Sequence, residues 1–277
     1  MAAKRALRFA LKTFLPGSAA PKVIAPKGVV LLRQPAVATT VPSISPFPLK
    51  LESYLRLAKI PYKNYFSSTS SSKGKIPWIE YNGQCVADSN FCVEFLNKEF
   101  GVDLDAKLSA KDRAVARTLA VMLDENTYWT MVYFRWIEKN NASKSVDIMF
   151  PNVPEWVRTN IARVAKWRVN QYLDGHGIGR HSRDEIYFIA LKDLSAVSEI
   201  LGDKAFLMGN KPTLVDTVAF GLLAVILWHD VNSPQSQLMR TELTNIVEYC
   251  ERMKALIWPD WDETIAERQE LMKPAKP

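Results

Sequence analysis

KIPWIEYNGQCVADSNFCVEFL, residues 75–96, is the stretch whose reading decides the fold. Ile76-Pro77 sets a proline just before the apolar run Trp78, Ile79, Glu80, Tyr81, and Asn82-Gly83 supplies the positive-φ pair of a tight hairpin turn. A second strand, Gln84 to Ala87, runs into Asp88-Ser89, behind which Phe91, Val93, Phe95 and Leu96 open a helix. The stretch therefore reads as strand, turn, strand, helix N-terminus.

Backbone chemistry makes this order a binding device. A proline that begins a strand is a candidate cis bond, which turns the preceding residue's N–H and C=O away from the sheet, so Ile76 and Pro77 present backbone groups to a ligand. The first N–H groups of a helix lack partners and its dipole favours negative charge, so Ser89 suits a ligand carboxylate. Asp88 suits a ligand ammonium. The competing reading is that Asp88 or Ser89 simply caps the helix.

Outward from this stretch, Gly28 to Leu32 is the natural first strand of a βαβ unit. Leu49, Leu51, Tyr54, Leu55 and Leu57 then recur with helical spacing after Ser45-Pro46-Phe47-Pro48, and Tyr62 to Phe66 is a second strand. A Ser/Thr-rich bridge, Ser67 to Lys75, leads back to the opening stretch. The order is β-α-β-α-β-β-α if that bridge carries a turn of helix, which is a thioredoxin-like arrangement over residues 28–100.

From Ser109 onward the pattern is helical throughout. Lys111 to Ile137 is long and aromatic-rich, followed by Trp156 to Leu173 and Arg183 to Leu201. Thr213 with Asp216 three residues later caps an apolar helix that runs to Trp228. These residues predict an all-α domain over 105–265, with a short tail at 266–277. The longest wholly apolar window, Val218 to Trp228, is too short to span a bilayer and reads as a central buried helix.

The chain holds 36 basic and 29 acidic side chains, a formal +7. Residues 1–50 contain Lys4, Arg5, Arg8, Lys12, Lys22, Lys27, Arg33 and Lys50 and no acid, so the remaining 227 residues, with 28 basic and 29 acidic side chains, sum to −1. A near-neutral body argues against nucleic acid as a partner. Three cysteines with no C-x-x-C pair point to a reducing compartment and not to secretion. His176-Gly177-Ile178-Gly179-Arg180-His181 has too few close ligands for zinc and reads as an inter-helix loop, so no metal is expected. Wound as a helix, Met1 to Leu15 puts Lys4, Arg5, Arg8 and Lys12 on one face and Leu7, Leu11, Phe14 and Leu15 on the other. With its linker to Lys27, this leader suits a mitochondrial targeting peptide or a membrane-surface contact; the alternative is a basic leader of no consequence.

The order of Pro77, hairpin, Asp88-Ser89 and helix resembles the glutathione-binding half of glutathione transferases. The tetrad Ser45-Pro46-Phe47-Pro48 is similar to the C-P-F-C motif of glutaredoxins with both sulfurs gone, which excludes dithiol chemistry there. A serine in that place can donate a hydrogen bond to the thiolate of bound glutathione, and Ser45, with Ser43 as second choice, is the candidate. Ser45 before Pro46 is equally an N-cap with proline at the first helical position. Gly209-Asn210-Lys211-Pro212-Thr213-Leu214-Val215-Asp216 resembles the G-x-x-P-T-x-x-D element that begins the core helix of transferase C-terminal domains.

More specifically, Pro42 to Arg56, Gly74 to Tyr81, His176 to Arg180, Gly202-Asp203-Lys204 and Tyr249 to Arg252 resemble the failed axon connections family, a glutathione S-transferase-like, metaxin-related group implicated in axon development. The likeness covers residues 28–262. It departs at Pro48, where the family usually has cysteine. The resemblance implies a glutathione S-transferase-like fold and glutathione as ligand, held by Ile76, Pro77, Asp88 and Ser89. It implies weak transfer to an apolar electrophile seated among the aromatics of Tyr128 to Trp136. The alternative it implies is a non-catalytic scaffold with protein partners, mitochondrial or cytoplasmic and peripheral to a membrane.

Overall fold

The computed structural model describes residues 25–67, 70–151, 153–229 and 233–272. Residues 1–24 of the expected leader and 273–277 of the tail lie outside the described residues. The N-terminal portion is built from β1 (Val30–Gln34), α1 (Pro46–Leu57), β2 (Tyr62–Phe66), β3 (Trp78–Tyr81), β4 (Gln84–Ala87) and α2 (Ser89–Phe100). The sheet order is β2-β1-β3-β4, with β1 parallel to β2 from Val30 opposite Tyr62 to Gln34 opposite Phe66, and antiparallel to β3. Val30 and Leu32 project into an apolar cluster with Leu51, Leu55, Ile79, Val93 and Leu96. This is the thioredoxin-like arrangement, with two departures from the sequence reading.

The first strand runs two residues later than Gly28 to Leu32. Gly28 adopts φ +78 and belongs to the preceding turn, while Arg33 and Gln34 are strand residues despite their polarity. Both are fully buried because each finds a partner: Arg33 donates to Glu80 at 3.1 Å and Gln34 to Glu52 at 2.7 Å. Hydropathy registers the polar side chains and cannot see the acids opposite them. The bridge from Ser67 to Lys75 shows a turn at Ser71 to Gly74 and no helix among its described residues. Ser71 Oγ instead accepts the N–H groups of Lys73 and Lys75, the local competition by which serine disfavours helix.

The rest of the chain is helical: α3 (Ala110–Met122), a π turn (Leu123–Thr127), α4 (Tyr128–Trp136), α5 (Asn141–Met149), α6 (Glu155–His176), α7 (Arg183–Leu201), α8 (Leu214–Trp228), α9 (Pro234–Thr241), α10 (Thr244–Ile257) and α11 (Trp261–Met272). Every residue from Val215 to Leu227 is buried, so α8 is the central helix expected from its apolar run. Its start is held by Asp216, whose carboxylate accepts from Thr213 N at 2.7 Å, Thr213 Oγ1 at 2.8 Å and Leu207 N at 2.9 Å. Burial nonetheless holds its pKa above the usual carboxylate value. The His176–His181 segment closes α6 at Gly177 (φ +99) and continues into a short turn, Ile178–Arg180.

Two contacts join α1 to the helical portion. At Gly221, in the middle of α8, a Cβ would stand 2.8 Å from both the Pro46 carbonyl oxygen and Lys50 Cβ, so absence of a side chain lets α1 lie against α8. On the other flank of α1, Glu52 is fully buried and accepts from Arg268 at 2.6 and 2.7 Å, Gln34 at 2.7 Å, Asn64 at 2.8 Å and Tyr62 at 3.1 Å. Burial alone would raise the Glu52 pKa, but the charge and hydrogen bonds of Arg268, with those of Asn64 and Gln34, hold it below the ordinary value. Arg268 also donates to Pro42 O at 2.7 Å, so α11 anchors the segment that leads into α1.

Gly221→Ala overpacks the α1–α8 contact and is expected to destabilise by about 1–3 kcal/mol, read as a lower urea midpoint at unchanged m. Arg268→Met strands the buried Glu52 carboxylate and is expected to cost about 3–5 kcal/mol in the same titration.

Candidate functional site

A cavity of about 210 Å³ lies where the N-terminal end of α1 faces α4. Ser45, Pro46 and Ile76 line it from one side, Tyr128, Met131, Val132, Arg135 and Trp136 from α4, with Pro35, Val37, Ile44 and Met149 completing the wall. The α4 residues recur at positions three and four apart, which places them on one helical face. The π turn just before α4 sets that face. Thr127 Oγ1 and Asn126 Nδ2 donate to Asp193 of α7, at 2.6 and 2.9 Å, and pin the widened turn in place. Such turns are frequent at functional sites.

Ser45 stands at the N-cap of α1 with φ −101 and ψ 129 and Pro46 behind it, yet its side chain makes no capping hydrogen bond. Its own N–H instead donates to Ser43 Oγ at 3.3 Å. The capping position is therefore real and the capping bond is not, which leaves the Ser45 hydroxyl available at the cavity. Ser43 is buried, with 1 % of its surface accessible, and does not line the cavity. The Ile76-Pro77 bond is cis, as expected from the proline that precedes β3. Ile76 lies outside the sheet ladder, whose first β1–β3 pair is Arg33 with Trp78.

Asp88 and Ser89 stand at the start of α2 and are not among the residues that line this cavity. Asp88 adopts φ +84 and ψ 129, a conformation non-glycine residues rarely take and one that clusters at ligand sites. Its carboxylate accepts from Asn90 N at 2.9 Å, so it does cap the helix. Ser89 is buried and makes no side-chain hydrogen bond among the described residues. Beside it, Lys50 of α1 donates to Asn90 Oδ1 at 2.7 Å and to Asp124 of the π turn at 2.5 Å. This ties the α2 N-terminus to the base of α4.

Arg135 is the residue that reasoning from the sequence missed. It donates to Ile44 O at 2.8 Å and approaches Met131 Sδ at 3.7 Å, but has no carboxylate partner among the described residues. Burial pulls its pKa down to about 10 despite the neighbouring Tyr128. The available signal was a cation on the otherwise apolar face formed by positions 128, 131, 132 and 136. Burial likewise pushes the Tyr128 phenol up to about 12. Of the aromatics expected at a second-substrate site, Tyr128 and Trp136 line the cavity, whereas Trp129, Tyr133 and Phe134 do not. No thiol lines it either: Cys85 is exposed, and Cys92 and Cys250 are buried, with burial first and the Asp88 charge second pushing Cys92 up to about 12. Among the described residues, no group of His, Cys, Asp or Glu is placed to hold a metal ion.

The arrangement of sheet, cis-proline and helical portion is the fold of glutathione transferases. The glutathione S-transferase N-terminal domain family matches residues 46–141, and the glutathione S-transferase C-terminal domain family residues 190–253. Among solved structures, the beta-etherase LigF of Sphingobium superposes with a TM-score of 0.56 at 17 % identity, over 87 % of this chain and 98 % of that one. The apo form of glutathione S-transferase III gives 0.55 at 14 % identity, over 91 % of this chain and 100 % of that one. The Failed axon connections protein of Drosophila melanogaster is 32 % identical over 86 % of this chain. The chain spans 60 % of that protein's length. The isoprene-epoxide glutathione S-transferase of Rhodococcus is 29 % identical over 77 % of this chain and 93 % of its own, and mouse metaxin-2 is 21 % identical over 77 % and 82 %. The chain belongs to the glutathione S-transferase-like, metaxin-related family that includes Failed axon connections.

Near Arg135 lies His229, buried at the end of α8, with Nδ1 2.9 Å from Thr39 Oγ1 and no hydrogen-bond partner at Nε2 among the described residues. Burial, and secondarily the Arg135 charge, lower its pKa to about 3. The unfolded chain binds this proton near pH 6.5 and the folded chain refuses it, so stability falls as pH drops from about 6.5 towards 3. The contribution is about 1.4 kcal/mol per pH unit within that window. His229→Gln is expected to flatten the stability–pH curve there, measured by urea titrations from pH 7 to 4.

Proposed function

We propose that this chain binds glutathione along the N-terminal portion and transfers it, at a low rate, to apolar electrophiles seated in the cavity. The observation that carries the reading is the Ser45 hydroxyl, which stands at a helix N-terminus, lines the cavity and is not consumed by capping. In this reading Ser45 donates a hydrogen bond to the glutathione sulfur and favours its thiolate form. The thiol proton passes to solvent and the thiolate attacks the electrophilic carbon. The new carbon–sulfur bond forms as the bond from that carbon to its leaving group breaks, the group departing with the electron pair. The sulfur nucleophile belongs to the ligand. Ile76 offers backbone groups to the cysteinyl unit beside Pro77. Ser89 and the free N–H groups at the start of α2 take the γ-glutamyl carboxylate, with the Asp88 carboxylate beside the ammonium. The strained backbone at Asp88 supports a ligand role at that point. The Rhodococcus relative, an isoprene-epoxide glutathione S-transferase, supports the same class of ligand.

A second reading, a non-catalytic scaffold that binds proteins, is favoured by cavity size. About 210 Å³ is below the roughly 300–1,000 Å³ usual for small-molecule sites. A relative from Arabidopsis thaliana named as a mitochondrial outer membrane import complex protein also supports it, and with it a mitochondrial or cytoplasmic, membrane-peripheral location reached through the basic leader. No helix among the described residues is long and apolar enough to cross a membrane.

Glutathione at a hundred times its dissociation constant is expected to stabilise the protein by about 2.7 kcal/mol, read as a rise in melting temperature. Asp88→Ala with Ser89→Ala should abolish that rise, while Ser45→Ala should keep binding and raise the pKa of the bound thiol in ultraviolet difference spectra. Absence of any shift at millimolar glutathione leaves the scaffold reading.

A further inference from the structure

We propose that the cavity between α1 and α4 is a site for small organic acids, in which the Arg135 guanidinium takes the carboxylate and the apolar wall takes the body of the ligand. The buried lysine and arginine side chains among the described residues are Arg33, Lys50, Arg135 and Arg268. Arg33 is paired with Glu80, Lys50 with Asp124 and Arg268 with Glu52. Arg135, with 8 % of its surface accessible, has no acid and makes do with a backbone carbonyl and a thioether. A charge taken out of water without an opposite charge is costly, and perturbed charged groups in clefts cluster at functional sites.

The surroundings narrow the ligand. Val37, Ile44, Met131, Val132, Trp136 and Met149 give an apolar wall that gains from an apolar body. Tyr128 adds a hydroxyl that can complete the hydrogen bonds of a carboxylate, and a guanidinium fits that group with two parallel N–H donors. A neutral ligand of equal size would fill the cavity and leave the cation unpaired. The site therefore discriminates by charge, and its volume of about 210 Å³ restricts the body to a short chain or single ring. This narrows the second ligand of the reading given above to an electrophile whose apolar body carries a carboxylate. It rests on that reading only for the meeting of the two ligands; the binding itself rests on Arg135.

The test is calorimetric titration of the full chain with hexanoate and its neutral isostere hexanamide, with glutathione titrated separately. Hexanoate is expected to bind at least about tenfold tighter than hexanamide, the margin of a charge-assisted hydrogen-bonded pair. Arg135→Met should erase that preference and Arg135→Lys should retain part of it, while inorganic phosphate at equal concentration should leave hexanoate bound. Because Arg135 also holds Ile44, the variants are judged after their melting curves are recorded, and the comparison of the two probes on the unaltered chain is decisive. Equal affinity for the two probes, no binding of hexanoate, or its displacement by phosphate overturns the proposal. Hexanoate binding without glutathione binding overturns the reading of the previous subsection and leaves this one standing, and the converse separates them the other way.

Discussion

The placement of the candidate site depends on the close approach of α1 to α8 at Gly221. A side chain there would meet the Pro46 carbonyl and the Lys50 side chain, which are the first turn of α1 itself. Ser45 immediately precedes that turn, so the absence of one methyl group in the core helix decides where a hydroxyl in the other portion stands. The same helix carries Leu51, Tyr54 and Leu55 into the sheet cluster and Leu49 into the helical one, so α1 is a shared wall of two cores. Packing of this density transmits a displacement rather than absorbing it.

Charge is handled differently on the two sides of α1. On one flank Glu52 gathers Arg268, Gln34, Asn64 and Tyr62, and every lone pair of the carboxylate is used. On the cavity side Arg135 is buried with a carbonyl and a sulfur, and His229 nearby is kept neutral by burial and by that cation. The first arrangement offsets its desolvation within the fold. The second leaves the imbalance at the wall of a cavity, where a ligand can offset it.

Much of the fold was legible from local chemistry. Asn82-Gly83 takes the positive φ its residues favour, Thr213 and Asp216 close the capping box their spacing demands, and Val218 to Trp228 falls in the central helix because nothing in it tolerates water. The misreadings have a common cause. The local pattern places the first strand at Gly28 to Leu32, short of Arg33 and Gln34, whose partners Glu80 and Glu52 lie 47 and 18 residues away. Likewise Arg135 carries no expectation, because the face it shares with Met131 and Val132 acquires meaning only when Ile44 and Ser45 are brought against it. Ser45 shows the same limit from the other side. Its neighbour Pro46 predicted a cap position, but whether the hydroxyl spends itself on the helix depends on a rotamer the sequence does not specify.

By itself, then, the sequence determined the order of the main strands and helices, the cis proline at Pro77, the cap of the central helix and the family, because each of these is carried by residues within a few positions of one another. Tertiary structure alone decided which groups share the cavity. Ser45, Ile76 and Arg135 are distant along the chain and meet only because α1 lies against a glycine, because β3 opens from Pro77, and because a π turn rotates α4. The physical reason is that backbone preference acts over one or two turns, whereas the worth of a hydroxyl or a cation is set by what surrounds it once water has been removed.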